Sequence, residues 1–193
     1  MYSVDADTVT IDYDAFDEDC EWLGYELSGF QTITVLRAEE DDVRVEHSWD
    51  DLSDGSVRLD GNAEVRWSEG HDRRQMRHDL RWTSISDGRT GEGSGGRLQR
   101  PLPEGIEEGL RLDGEHDWDG DDGQWLLEGH DLEMRWGDPI PQAGHTHLDT
   151  PYGEAVTLQF FRIDDRTVKV RVESGYRRFF FRVSQRGSVF YDD

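Results

Sequence analysis

The segment 155–183, AVTLQFFRIDDRTVKVRVESGYRRFFFRV, decides the fold class that the sequence predicts. Within it, Val168, Val170 and Val172 alternate with polar residues, and a second alternating run follows Ser174-Gly175. Alternation with a period of two places successive side chains on opposite faces of a β-strand. The second run assigns three residues to each face: Phe179, Phe181 and Val183 to one, and Arg178, Phe180 and Arg182 to the other.

The rest of the chain repeats this alternation in short runs separated by turn-forming residues. Residues 8–13 predict a first strand, and residues 31–36 and 43–49 predict a hairpin across an acidic turn. No segment has the pattern of an amphipathic helix. We therefore predict an all-β fold with little helix, a largely antiparallel meander of roughly 10–13 short strands that forms a sandwich, a barrel or a half-barrel.

Three related phrases occur along the chain, each with an apolar residue, an acid and a glycine before a tryptophan. They are VRLDGNAEVRW at 57–67, LRLDGEHDW at 110–118 and LLEGHDLEMRW at 126–136. The central glycine has two interpretations: a tight hairpin turn, or a bulge within one long strand. The irregular spacing excludes a solenoid repeat.

A glycine- and serine-rich stretch, SDGRTGEGSGG at 86–96, interrupts the strand pattern. Because it lacks apolar residues, we predict a mobile loop or linker there. We treat residues 1–193 as a single β domain, with a subdivision near 86–103 as the alternative.

The charge of the chain is strongly negative and unevenly distributed. The formal net charge is −23, and only one of the 21 basic residues is a lysine. Residues 162–187 contain eight basic and three acidic residues, a net charge of +5, and residues 1–161 carry −26. Such an acidic surface argues against nucleic acid and anionic membranes as partners. The arginine-rich strands could bind an anion, but we expect them to pair with acidic residues of the chain itself.

The location of the protein has to be inferred from features that the sequence lacks. Cys20 is the only cysteine, which excludes an intrachain disulfide. No stretch approaches the ~20 apolar residues of a membrane-spanning helix, and the first residues lack the features of a signal peptide. We expect an extracytoplasmic protein (periplasmic, at the cell surface or secreted) that has lost its leader, with a cytoplasmic protein as the alternative.

The motif His145-Thr146-His147-Leu148-Asp149 is the first candidate site. In a strand, His145, His147 and Asp149 lie on one face, and two imidazoles with a carboxylate can bind zinc or iron. The motif resembles the His-x-His strand of the cupin family, whose metal lies inside a small β-barrel. Pro139 stands where the cupin motif has a glycine, and the third cupin histidine has no counterpart after residue 147. An exposed polar strand is the alternative interpretation.

The second candidate site is the acidic loop DWDGDDG at 117–123. Asp117, Asp119 and Asp121 alternate around glycine, as oxygen ligands do in calcium-binding loops. The spacing differs from that of an EF-hand and no helices flank the loop, so a solvated hairpin turn is the alternative. We expect no cofactor by default, and the two motifs leave zinc and calcium as candidates.

Two groups of segments resemble a family as a whole. The first group is a row of predicted strands at 31–83. The second group is the end of the chain, which contains DPIPQAG at 138–144, Tyr152-Gly153-Glu154, and predicted strands at 156–161 and 168–172. This succession resembles the β-rich secreted proteins and lipoproteins of Gram-negative bacteria whose activity is not known. The resemblance implies a location in the cell envelope or outside the cell, and it implies no catalytic residues.

These observations favour a non-enzymatic, exported or cell-surface β domain with a structural, adhesive or interaction role. Its partner is predicted to be a protein or a surface, and the sequence does not determine the oligomeric state. One alternative is a β-barrel that carries an apolar ligand. The other is a cupin-like metal-dependent enzyme that uses His145, His147 and Asp149.

Overall fold

A computed structural model describes residues 2–5, 7–15, 21–22, 25–68, 70 and 72–191. These residues form sixteen β-strands and no helix. The predicted strand at 8–13 is present, and Cys20 falls outside the described residues.

The strands are numbered in chain order, with these bounds: β1 Tyr2–Asp5, β2 Thr8–Asp12, β3 Glu21–Trp22, β4 Tyr25–Glu26, β5 Ser28–Glu39, β6 Asp42–Ser53, β7 Val57–Ser68, β8 Arg73–Ser84, β9 Thr90–Leu102, β10 Gly105–Gly120, β11 Gly123–Arg135, β12 Ala143–Asp149, β13 Ala155–Asp164, β14 Thr167–Ser174, β15 Arg177–Ser184 and β16 Val189–Tyr191.

The predicted all-β antiparallel meander is confirmed. Fourteen strands form one sheet in chain order, and β3 pairs with β4 separately. Several strands are longer than predicted, because the glycines of the three repeated phrases lie inside β7, β10 and β11. The interpretation of these glycines as tight hairpin turns is therefore wrong: each lies inside a long strand, and Gly61 and Gly129 are themselves paired with residues of neighbouring strands.

The chain divides into two compact units. The first comprises residues 1–96 and 118–123, and the second comprises residues 97–117 and 124–193. In the first unit, β1, β2, β5, β6, β7 and β8 are hydrogen-bonded in that order. In the second unit, the order runs from β11 to β16 without interruption. Strands β9 and β10 contribute residues to both units, as does β11 through Gly123.

Of the glycine-rich stretch at 86–96, residues 86–89 form the predicted loop tip between β8 and β9, whereas residues 90–96 belong to β9, so the alternative prediction of a linker is wrong. The turn covers residues 85–87, and β9 begins at Thr90. The physical reason is the indole of Trp82 on the adjacent strand, which occupies the space where a side chain would lie. A Cβ atom on Gly91 would lie 2.5 Å from the indole. Glycine is therefore needed for packing at this position and does not indicate flexibility.

The sequence Arg-Leu-Asp-Gly at 58–61 stabilises a β-bulge in the first unit. On β6, the backbone of Asp51 has a φ of 56°, and the register with β7 shifts at this point. The backbone N–H of Asp51 donates to the Asp60 carboxylate at 3.0 Å, and Arg58 lies 2.6 Å from the Asp51 carboxylate. On the other side of β6, a Cβ atom on Gly29 would lie 2.2 Å from the Asp51 carbonyl oxygen.

The same four residue types, at 111–114, stabilise a second bulge in the second unit. Asp131 on β11 has a φ of 50°, and its backbone N–H donates to the Asp113 carboxylate at 2.8 Å. Arg111 lies 3.5 Å from the Asp131 carboxylate. A Cβ atom on Gly144 would lie 2.3 Å from the Asp131 carbonyl oxygen. In two of the three repeated phrases, Arg-Leu-Asp-Gly thus supports a bulge on the strand beside it.

The buried core of the second unit consists of the apolar face of β13, β14 and β15. Its members are Phe160, Val168, Val170, Val172 and Val183. This confirms the predicted alternation, since Val170 lies directly opposite Phe181 and is 1% exposed. Arg162 extends this face with an ion pair to Asp138 and a hydrogen bond of 2.7 Å to Gln142.

Candidate functional site

The opposite face of β13–β16 carries a row of aromatic and basic residues across four strands. Phe161 lies opposite Lys169, Lys169 opposite Arg182, and Arg182 opposite Phe190. Directly opposed residues of antiparallel strands project from the same face of the sheet. Phe161 is 45% exposed and Phe190 is 52% exposed. Two cations therefore lie between two exposed phenyl rings.

A second row lies beside the first on the same face. Gln159 is opposite Arg171, which is opposite Phe180. The Lys169 ammonium lies 4.4 Å from the centroid of the Phe180 ring, and the Arg171 guanidinium lies 5.9 Å from that of Phe161. Cations at these distances are attracted by the aromatic ring. We define the aromatic–basic face by six residues: Phe161, Lys169, Arg171, Phe180, Arg182 and Phe190.

Ion pairs border this face, as predicted for the arginines of the last strands. Arg178 lies 2.5 Å from the Glu173 carboxylate, and Arg171 lies 3.6 Å from it. Arg171 also donates to the amide oxygen of Gln159. Glu173 is the one acidic residue on the described β14 and β15, so the surface keeps a net positive charge.

The predicted metal triad lies on β12, next to the rows described above. Its members occupy alternate positions, so they share one face as predicted. The His147 Nε2 atom lies 3.3 Å from the Asp149 carboxylate, and its Nδ1 atom lies 3.0 Å from the Thr157 hydroxyl. His145 instead lies opposite His130 of β11, with ring centroids 4.9 Å apart.

The structure pairs the triad in a way that the sequence could not reveal. His147 contacts Asp149, whereas His145 contacts a histidine that is distant in sequence. Within the described residues, no group of three or more His, Cys, Asp or Glu side chains is arranged to hold a metal ion. A metal site formed by His145, His147 and Asp149 remains a prediction.

The predicted calcium ligands lie at the end of β10 and in the turn that follows it. Asp117 and Asp119 are on the strand, and Asp121 is in the turn before β11. Asp119 and Asp121 belong to the first unit, whereas Asp117 belongs to the second. In the first unit, the hydrogen bond to Asp87 and the charge of Asp87 raise the pKa of Arg89 most, and the carboxylates of Asp122 and Asp121 raise it further.

A cavity of about 450 Å³ lies in the first unit. Its lining includes four carboxylates and one guanidinium, from Asp60, Glu92, Asp119, Asp121 and Arg81. Arg81 lies 3.5 Å from the Glu92 carboxylate. This charged lining favours a polar or ionic occupant, so the cavity does not support the prediction of an apolar-ligand carrier.

Comparisons with protein-family models, with curated proteins and with solved structures find no match to this chain. The resemblances to cupins and to secreted proteins of Gram-negative bacteria therefore remain predictions. In the part of the chain that the structure describes, no helix is long and apolar enough to cross a membrane.

Sequence reasoning found two of the six residues of the aromatic–basic face. It assigned Phe180 and Arg182 to one side of a strand, but it did not join them to Phe161 or Phe190. It also missed β16, a strand of three residues. The missed signal was the coincidence of net positive charge and phenylalanine at alternate positions within residues 159–190.

Proposed function

We propose that this chain is an interaction domain that binds an acidic protein partner through the aromatic–basic face. The observation that carries the proposal is the row Phe161, Lys169, Arg182 and Phe190, in which two exposed rings flank two cations. Contiguous exposed apolar surface on a soluble protein is typical of an interaction site. Aromatic side chains and arginine are also enriched at the centres of protein interfaces.

Charge complementarity favours an acidic partner over a basic one. The segment 162–187 carries +5 in a chain whose net charge is −23. A partner that presents carboxylates can pair with the cations, and apolar groups beside those carboxylates can contact the phenyl rings. Both contacts are local, and they are retained when salt screens the repulsion from the rest of the chain.

The same charges disfavour nucleic acid. A phosphate backbone brings about one charge per 1.7 Å of duplex. Such a chain would extend beyond the small positive surface and meet the repulsion of residues 1–161, which carry −26. A protein partner can confine its acidic residues to the area of the face. We further propose an extracytoplasmic location, on the basis of the resemblance stated for the sequence.

Fluorescence anisotropy with a labelled synthetic peptide of alternating glutamate and tyrosine residues tests the proposal. The peptide supplies both carboxylates and aromatic rings, whereas an all-glutamate peptide supplies only the charge. We expect the mixed peptide to bind more tightly. We also expect the double variant Lys169→Ala, Arg182→Ala and the single variant Phe190→Ala each to weaken binding roughly tenfold or more, about 1.4 kcal/mol or more.

The matched control is Arg81→Ala, which removes an exposed cation from the first unit and should leave the affinity unchanged. An oligouridylate of similar charge serves as the competing class of ligand. Equal loss of peptide binding in Arg81→Ala would mean that charge alone, anywhere on the chain, drives association. Tighter binding of the oligouridylate, sensitive to the face variants, would overturn the proposal of a protein partner.

A further inference from the structure

We infer that His130 and His145 form a two-imidazole site for one divalent transition-metal ion. The two residues are directly opposed on β11 and β12, and their ring centroids lie 4.9 Å apart with an interplanar angle of 31°. This pair differs from the triad predicted from the sequence, because it excludes His147 and Asp149.

The separation of the rings suits a shared ion. Metal–nitrogen bonds to imidazole are about 2.0–2.1 Å long. Two ligating nitrogens on one ion must therefore lie within about 4 Å of each other. Rings whose centroids are 4.9 Å apart can satisfy this limit by rotation about their side-chain bonds.

The position of the pair in the bulge is the second observation. His130 directly precedes Asp131, whose positive φ defines the bulge of the second unit, and His145 directly follows Gly144. Bulges redirect side chains and are common beside functional sites. Here the bulge ends the regular pairing at the histidines, since the register shifts between His130 and Glu133.

The first unit provides an internal comparison. Its bulge has the same construction, and the two corresponding positions are Phe30, which follows Gly29, and Asp50, which precedes Asp51. Phe30 and Asp50 are likewise directly opposed. The bulge therefore forms without histidine at either position. The requirements of the fold do not explain why two imidazoles meet at the second bulge.

The chemistry of the pair selects the class of ion. Neutral imidazole suits zinc, copper and nickel, whereas calcium and magnesium prefer oxygen ligands. Two protein ligands leave the other coordination positions to water. His147 does not extend the set, because its Nδ1 atom faces the Thr157 hydroxyl and its Nε2 atom faces Asp149.

Calorimetric titration of the protein without a histidine tag with Cu²⁺ tests the inference, together with electron paramagnetic resonance of the copper complex. We expect one copper ion per chain and a spectrum with two equatorial nitrogen ligands. His130→Ala and His145→Ala should each weaken binding roughly tenfold or more, about 1.4 kcal/mol or more. The matched control, His147→Ala, should bind copper as the unmodified chain does.

The variant His130→Asp separates loss of the site from loss of the fold. It introduces the residue type found at the corresponding position of the first bulge, so the melting temperature should stay close to that of the unmodified chain while copper binding weakens. If His147→Ala abolishes binding and His130→Ala does not, the predicted triad is the site and the inference is wrong. Copper binding that none of the histidine variants alters would also overturn it.

Discussion

The Asp60 carboxylate accepts a hydrogen bond of 3.0 Å from the backbone N–H of Asp51 on the adjacent strand. This contact satisfies the amide of a residue whose positive φ takes it out of the regular ladder. Asp113 and Asp131 repeat the contact at 2.8 Å in the second unit. A sequence of four residues, Arg-Leu-Asp-Gly, thus stabilises a bulge on the strand beside it.

Replacement of Asp60 with alanine should destabilise the protein by about 1 kcal/mol, the typical net contribution of one hydrogen bond, because it removes the acceptor of the Asp51 backbone N–H. The variant Asp60→Asn keeps an acceptor oxygen and should therefore lose less stability than Asp60→Ala. Urea denaturation measures both changes. Asn62→Ala, at an exposed position of the same strand, is the control and should stay within about 0.5 kcal/mol of the unmodified chain. Equal effects at positions 60 and 62 would contradict this role of the carboxylate.

Replacement of Gly91 with alanine should destabilise the protein by about 1–3 kcal/mol, the range for an overpacked site. The added Cβ atom would lie 2.5 Å from the Trp82 indole, which would have to move. Gly96→Ala on the same strand is the control, because its nearest contact would be an ordinary 3.5 Å. Thermal melts compare the two variants. If the Gly91→Ala variant is as stable as the Gly96→Ala variant, the packing of the Trp82 indole does not require glycine at position 91.

The fold class could be predicted from the sequence because alternation of apolar and polar residues is a local property. Val168, Val170 and Val172 were assigned to a buried face, and the structure places them in the core. The stretch at 86–96 misled the prediction, because a glycine that accommodates a neighbouring indole has the same composition as a flexible linker. Only the position of Trp82 on the adjacent strand distinguishes these two roles.

The candidate sites could be predicted only in part, because they depend on the register between strands. The spacing of His145 and His147 placed both on one face, as the structure does. It carried no information on His130, which is fifteen positions earlier in the chain and directly opposite His145. For the same reason, Phe161 and Phe190 could not be placed in one row from their positions in the sequence.

Added salt should raise the melting temperature of this protein. With a net charge of −23, the carboxylates of the folded chain repel one another, and salt screens that repulsion. The Debye length falls from about 10 Å at 0.1 M salt to about 3 Å at 1 M. The melting temperature should rise by a similar amount in sodium chloride and in potassium chloride. A melting temperature that does not change across the salt series would contradict the prediction.

Lowering the pH from about 7.5 to about 5.5 should destabilise the unmodified chain more than the variant His47→Gln. Burial lowers the pKa of His47 below its ordinary value, and the nearby Arg74 lowers it further. The His47 ring stacks on Trp49 at 6.1 Å, and its Nδ1 atom lies 3.4 Å from the Gln31 amide nitrogen.

The direction of this pH effect follows from proton linkage. Between the lowered pKa of the folded state and the ordinary pKa of about 6.5, the unfolded chain binds more protons, so stability falls as the pH falls. The other titrating groups are common to both proteins, so the difference between their melts isolates His47. Parallel melting curves across this pH range would contradict the assignment.

The aromatic–basic face is tested most directly by chemical-shift mapping of the ¹⁵N-labelled protein with the peptide of alternating glutamate and tyrosine residues. We predict that the largest shifts will occur at Phe161, Lys169, Arg182 and Phe190 and at their neighbours on β13–β16. The amides around the acidic cavity of the first unit should not shift. Shifts concentrated at that cavity, or spread evenly over both units, would contradict the proposal that this face binds the partner.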